Sequence, residues 1–114
     1  MVVKQEIKKT ISISASTAYK NLLAGIKKED WEIIYKEEED LEVFGMTSAL
    51  GGSTLLSAFT EGARYVPFFA RIFPKGNKCE VLIIAGGSED IFGFDFGRNK
   101  KVVEKILNMC LGKK

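Results

Sequence analysis

Any chemistry done by this chain must be done without histidine, because none of its 114 residues is one. A Ser-His-Asp or Cys-His device, a histidine base and a histidine metal ligand are excluded together. Cys79 and Cys110 are the remaining soft nucleophiles. By pattern they fall in an apolar strand and an apolar helix, where a reduced thiol behaves as a small hydrophobe, so buried free thiols are expected. Carboxylates crowd residues 37–40, but such a run reads as a hydrophilic turn, with nothing apolar nearby to raise a pKa for acid-base work. Gly51-Gly52-Ser53-Thr54 and Gly86-Gly87-Ser88 look like phosphate loops, yet neither is followed by the lysine and helix that a nucleotide loop requires, and both read as turns. Asp95-Phe96-Gly97 spells the metal-binding tripeptide of protein kinases in a chain far too short for one and without the catalytic-loop signature. The expectation is a non-enzymatic protein with no cofactor, no metal site and no catalytic residue.

The elements that would position these residues belong to one domain spanning residues 1–114, long enough to bury a core without staples. Hydrophobic residues at 46% and charged residues at 28% are ordinary for a globular domain. The apolar runs are far shorter than the ~20 residues of a membrane span, and no hydrophobic signal core opens the chain, so a cytoplasmic protein is expected. The net charge of +2 hides an uneven distribution: residues 29–42 hold eight of the fifteen acids, whereas residues 98–114 hold six bases and one acid. Such runs usually serve as solvated faces. They also allow contact between opposite charges on two copies, or attraction to an anionic membrane or nucleic acid.

Residues 2–13 read as a strand, with Ile7, Ile11 and Ile13 on one face. Ser14 or Ser16 can cap a helix running to about Lys28, with Tyr19, Leu22, Leu23 and Ile26 at helical spacing. Residues 31–36 and 41–47 form two strands about a charged turn. Residues 64–73 and 78–85 form a hairpin through Pro74-Lys75-Gly76-Asn77. The last helix starts near Arg98 or Asn99, places Val103, Ile106, Leu107 and Cys110 on one face, and stops at Gly112. The order β-α-β-β-β-β-α predicts an α+β fold, an antiparallel sheet of about five strands with two helices on one face.

That order resembles the topology of TATA-box-binding-protein-like folds and, more loosely, the helix-grip sheet of START-type ligand binders. The stretch Asp95-Phe96-Gly97-Arg98-Asn99-Lys100-Lys101-Val102-Val103-Glu104 resembles a family of small uncharacterised bacterial proteins. Their last helix opens with aspartate, an aromatic, glycine-lysine-asparagine and, two residues on, asparagine-valine-glutamate. Arg98 stands for the lysine and Val102 for the second asparagine. The resemblance covers residue 31 onward and implies a fold but no activity. Physically, Gly97 suits a tight strand-to-helix join, and Asp95 or Asn99 suits the free amides there. An anion held there by Arg98, Asn99, Lys100 and Lys101 is the functional alternative.

Both rows of the later hairpin are apolar. One row holds Val66, Phe68, Ala70 and Ile72 with Val81, Ile83 and Ala85. The other holds Tyr65, Phe69 and Phe73 with Leu82 and Ile84, extended by Phe44 and Met46. Two helices cover one row, so the second needs residues 48–62, a second copy or a ligand as its cover. Leu50, Leu55, Leu56 and Phe59 would let residues 48–62 fold back as a lid with Ser53 as a cap, and Pro67 suggests an edge or bulged strand. The expected interaction face is Phe44, Met46, Leu55, Leu56, Phe59, Tyr65, Phe69, Phe73, Leu82 and Ile84. Its first expected role is homo-oligomer or protein contact. The alternative is an apolar small molecule or lipid. Weak nucleic-acid or anionic-surface binding ranks third, because a pI of ≈ 8.5 is modest and the bases are not interleaved with exposed stacking aromatics.

Overall fold

The computed structural model describes residues 4–47, 66–86 and 98–113. Strand β1 (Lys4–Ile11) leads to Ser14, whose extended backbone and side chain, accepting from the Thr17 amide at 3.3 Å, open helix α1 (Ala15–Lys28). Ala15, Ala18, Tyr19, Leu22 and Ile26 form its buried stripe. Past the C-cap Glu29, Asp30 takes a left-handed φ of 62°. The Asp30 amide donates to the Lys27 carbonyl and the Trp31 amide to the Ile26 carbonyl, both at 3.1 Å. This pair of bonds satisfies the last carbonyls and turns the chain directly into a strand.

Strands β2 (Glu32–Glu37), β3 (Glu42–Met46), β4 (Pro67–Lys75) and β5 (Lys78–Gly86) follow, and α2 (Arg98–Cys110) completes the order. The five strands form one antiparallel sheet in the order β1-β5-β4-β3-β2, the α+β arrangement expected. Helix α1 lies over β4 and β5, and α2 lies over β5 and β1 and against α1. Gly112, at φ 76°, ends α2 with bonds to the Met109 and Asn108 carbonyls from its own amide and that of Lys113.

The boundaries differ from expectation in ways that have causes. Pro67 marks neither an edge strand nor a bulge. Strand β4 is central, paired with β3 on one side and β5 on the other, and Pro67 is its first residue, where a missing amide is tolerated. The hairpin turn is shorter than Pro74-Lys75-Gly76-Asn77. Pro74 and Lys75 remain in the ladder opposite Cys79 and Lys78, leaving Gly76-Asn77 as a two-residue loop. Gly76 has φ 66° while Asn77 does not turn left-handed, the pattern of a type II′ turn, whose twist suits paired strands. The bulge falls in β2, where the register shifts between Ile33 and Tyr35 and leaves Ile34 as the extra residue.

The row containing Phe68, Ala70, Ile72, Cys79, Val81, Ile83 and Ala85 is the one beneath the helices, with Leu22, Ile26 and Ile106 above it. Val43 extends it on β3 and Ile11 on β1. The next inward position on β3 is Gly45, and the Phe68 ring occupies the space where a side chain would be. Phe68 also tilts against Trp31 with ring centroids 5.5 Å apart. The Val66 amide donates to Thr47 Oγ1 at 3.0 Å and the Thr47 amide to the Val66 carbonyl at 3.1 Å, so these two residues are tied together.

A methyl at position 45 would overlap the Glu32 carbonyl oxygen and lie 2.8 Å from the Phe68 ring. Gly45→Ala should therefore cost about 1–3 kcal/mol, the usual penalty of overpacking. The check is urea unfolding: the midpoint should fall with an unchanged slope, and an unchanged midpoint would show that both the Glu32 backbone and the Phe68 ring move aside without cost.

Candidate interaction surface

Residues paired across an antiparallel ladder share a face, so the register determines what lies opposite the helices. Phe69 pairs with Phe44 on β3 and Ile84 on β5, Arg71 with Glu42 and Leu82, and Phe73 with Glu80. Met46 pairs with Pro67, and Tyr35 with Phe44. Phe44, Met46, Phe69, Phe73, Leu82 and Ile84 therefore stand together on the sheet face away from the helices, and every one retains exposed surface. Four candidate residues for this face, Leu55, Leu56, Phe59 and Tyr65, lie outside the described residues, as does the lid expected over residues 48–62.

Sequence reasoning missed part of this surface. Among the described residues, Ile33, Ile34, Tyr35 and Phe44 are the exposed large hydrophobic side chains, with Ile34 49% and Tyr35 50% exposed; of these Ile33 pairs with the inward-facing Gly45, whereas Tyr35 pairs with Phe44. The β2 bulge interrupts strict alternation, so Tyr35 falls on the same face as Phe44 and continues the apolar surface to the sheet edge. The available signal was three consecutive apolar residues between Glu32 and Lys36.

Charge surrounds and interrupts the apolar face. Glu80 pairs with Lys8 at 3.6 Å and Lys75 at 3.8 Å. Arg71 pairs with Glu42 at 3.6 Å and Asp40 at 3.8 Å, and its guanidinium lies 5.0 Å from the centre of the Phe73 ring. Pairs this exposed contribute about 0–1 kcal/mol each, so they pattern the surface rather than hold the fold. At the sheet edge the Tyr35 hydroxyl donates to Glu37 Oε2 at 3.4 Å. Desolvation, then the charges of Glu37 and Glu42, hold its pKa above the ordinary phenol value.

The residues of the expected anion set differ in exposure. Asn99 is wholly buried, whereas Lys100 and Lys101 are exposed; the Arg98 side chain lies outside the described residues. Val102, which departs from the polar residue of the resembled family, is buried beside Val103, so an apolar side chain suits its position. Among the described residues, no three histidine, cysteine or acidic side chains gather where a metal could sit, and no helix is long and apolar enough to cross a membrane.

The fold is similar to that of Ara h 8.0201, at 10% identity over 99% of this chain and 100% of that one, with a TM-score of 0.56. Zhui aromatase/cyclase from Streptomyces sp. R1128 aligns at 13% identity over 98% of this chain and 93% of that one, with a TM-score of 0.44. No family model matches the chain, and no curated protein does either. The class established by this fold is therefore α+β, a helix-grip type of antiparallel sheet with both helices on one side.

Cys79 and Cys110 are free and buried, as expected. Burial, reinforced by the nearby Cys79, pushes the Cys110 thiol up to about 12 from an ordinary 9.0. A thiol whose folded pKa is raised supports the fold fully below its unfolded pKa, and that support is lost as pH rises toward the folded value. Stability should thus fall above about pH 9, by up to about 1.4 kcal/mol per pH unit for this one proton. Urea titrations of wild type and Cys110→Ala between these limits check this: the decline should be shallower in the variant, and parallel slopes would assign it to other groups.

Proposed function

We propose that this protein is a non-catalytic interaction module that self-associates through the open face of its sheet. The observation that carries the reading is the set of six partly exposed apolar side chains, Phe44, Met46, Phe69, Phe73, Leu82 and Ile84, on three adjacent strands. A second copy is favoured as the occupant because the face presents Lys8, Arg71 and Lys75 alongside Glu42 and Glu80. A two-fold interface needs a patch complementary to itself, and mixed charge around an apolar centre meets that need. The absence of histidine from the whole chain supports a role without acid-base chemistry at neutral pH.

Magnitude sets the expected strength. Covering side chains that are already partly buried gains roughly 0.5–1 kcal/mol each, so several kcal/mol for the face. With both copies counted the gain is about 6–12 kcal/mol, and association itself costs about 4–15 kcal/mol, which makes the dimer a weak one, on the order of micromolar at its tightest.

A second reading places an apolar small molecule with an acidic end on this face. It is favoured by Arg71, which pairs with Leu82 across the ladder, whose guanidinium stands 5.0 Å from the centre of the Phe73 ring and whose Nε has no hydrogen-bond partner among the described residues. Sedimentation velocity over a wide concentration range and native mass spectrometry test both. Self-association should be lost in the Phe69→Glu, Leu82→Glu double variant. An unchanged oligomer would reject this surface, and a monomer retaining a mass of a few hundred daltons, lost with Arg71→Ala, would transfer the face to the ligand reading.

A further inference from the structure

The helix layer carries a second feature, independent of the open sheet face. Helices α1 and α2 run antiparallel: Asn21 Nδ2 donates to the Cys110 carbonyl at 3.1 Å, Met109 occupies the space above Gly25, and Lys105 Nζ pairs with Glu29 Oε2 at 2.9 Å. A groove of ≈ 550 Å³ follows their outer seam. Ala24, Gly25 and Met109 supply its apolar part, while Lys28, Lys101, Lys105 and Lys113 stand round it against Glu29 and Glu104.

These lysines are not equivalent. Lys105 is committed to Glu29 and also stands 5.8 Å from the centre of the Trp31 ring. Among the described residues, no carboxylate pairs with Lys28 or Lys101. Two ammonium groups are thus brought to one groove from separate helices, and an anion lying between them would be attracted by both. Lysine binds phosphate as a compact point charge with rotatable donors, and the groove has the size of a small-molecule site.

We infer that the groove between α1 and α2 binds a phosphate-bearing ligand, with its phosphate between Lys28 and Lys101 and its less polar part over Ala24, Gly25 and Met109. The phosphate belongs either to a soluble ester or to a lipid headgroup, since the chemistry at the lysines is the same. Neither the apolar sheet face nor its self-association enters into this site.

The test uses two probes on the whole chain. Glycerol 3-phosphate is titrated into isotopically labelled protein while the backbone amides are followed, and vesicles of phosphatidylcholine with or without phosphatidic acid are tested by co-sedimentation. Saturable shifts confined to residues 24–28 and 101–109 are expected with the soluble ester. Co-sedimentation only with phosphatidic acid would identify the headgroup as the source. In either case Lys28→Gln with Lys101→Gln should weaken binding by about tenfold or more. Lys78→Gln, on the distant hairpin, should leave it unchanged. All three positions are solvent-exposed, so unaltered unfolding midpoints would confirm intact folding. Shifts that never saturate and follow every lysine alike, binding unaffected by the double variant, or no response to either probe would overturn the inference.

Discussion

The register between β4 and β5 is the constraint on which the rest of the structure depends. The two-residue loop Gly76-Asn77 holds Lys75 opposite Lys78, which places Ile72 opposite Val81 and Phe68 opposite Ala85. A slip of one residue would send every side chain of a strand to the other face. Hydrophobicity alone selects this register only weakly, because both rows are largely apolar. The decisive difference is charge: the row facing away from the helices contains Arg71 and Glu80, whereas the row beneath them has no charged side chain from Phe68 to Ile72 or from Cys79 to Ala85. Reversing the rows would carry a guanidinium and a carboxylate under α1 and α2, at several kcal/mol for each unpaired charge. The same charges that interrupt the open face therefore keep it open.

Given that register, the helix side closes tightly. The end of α1 delivers Trp31 to Phe68, and Gly45 leaves the place that the Phe68 ring fills. Phe68, Ile72, Val81 and Ile83 are left with at most 1% of their surface exposed, and the described residues between sheet and helices are those of a filled core. Among the described residues, the apolar sheet face lies on one side of this core and the helix seam on the other.

Much of this architecture was legible in the chain. Alternating apolar residues in the hairpin, helical spacing from Tyr19 to Ile26, Ser14 before α1 and Gly112 after α2 each express a local preference that the structure obeys, and they led to the right element order, while which of the two apolar rows the helices cover was left open. Features decided by pairing were not legible. Pro67 looked like an edge residue because its lack of an amide is visible in sequence, whereas its position as the first residue of a central strand is not. The β2 bulge depends on how β2 meets β3, and so Tyr35 could not be placed beside Phe44 from alternation alone. The groove lysines were hidden for a similar reason: Lys101 was visible as part of a basic tail, but its partner Lys28 comes from the other end of the chain.

The two outer surfaces call for different physics because their side chains differ in what they leave unsatisfied. On the sheet, charged groups have partners at 3.6–3.8 Å and the unmet demand is apolar area, so an occupant must bring apolar surface and tolerate both signs of charge. A copy of the same face does both. Along the helix seam the groove joins an apolar floor to four lysines that outnumber the two glutamates beside them, so an occupant that brings an anion suits it. Salt separates the two cases. Screening shortens the reach of the exposed lysines within a Debye length of about 8 Å at physiological ionic strength, while it leaves apolar contact nearly untouched or strengthens it. The sheet face and the helix groove thus differ in the kind of occupant they accept as well as in their place on the molecule.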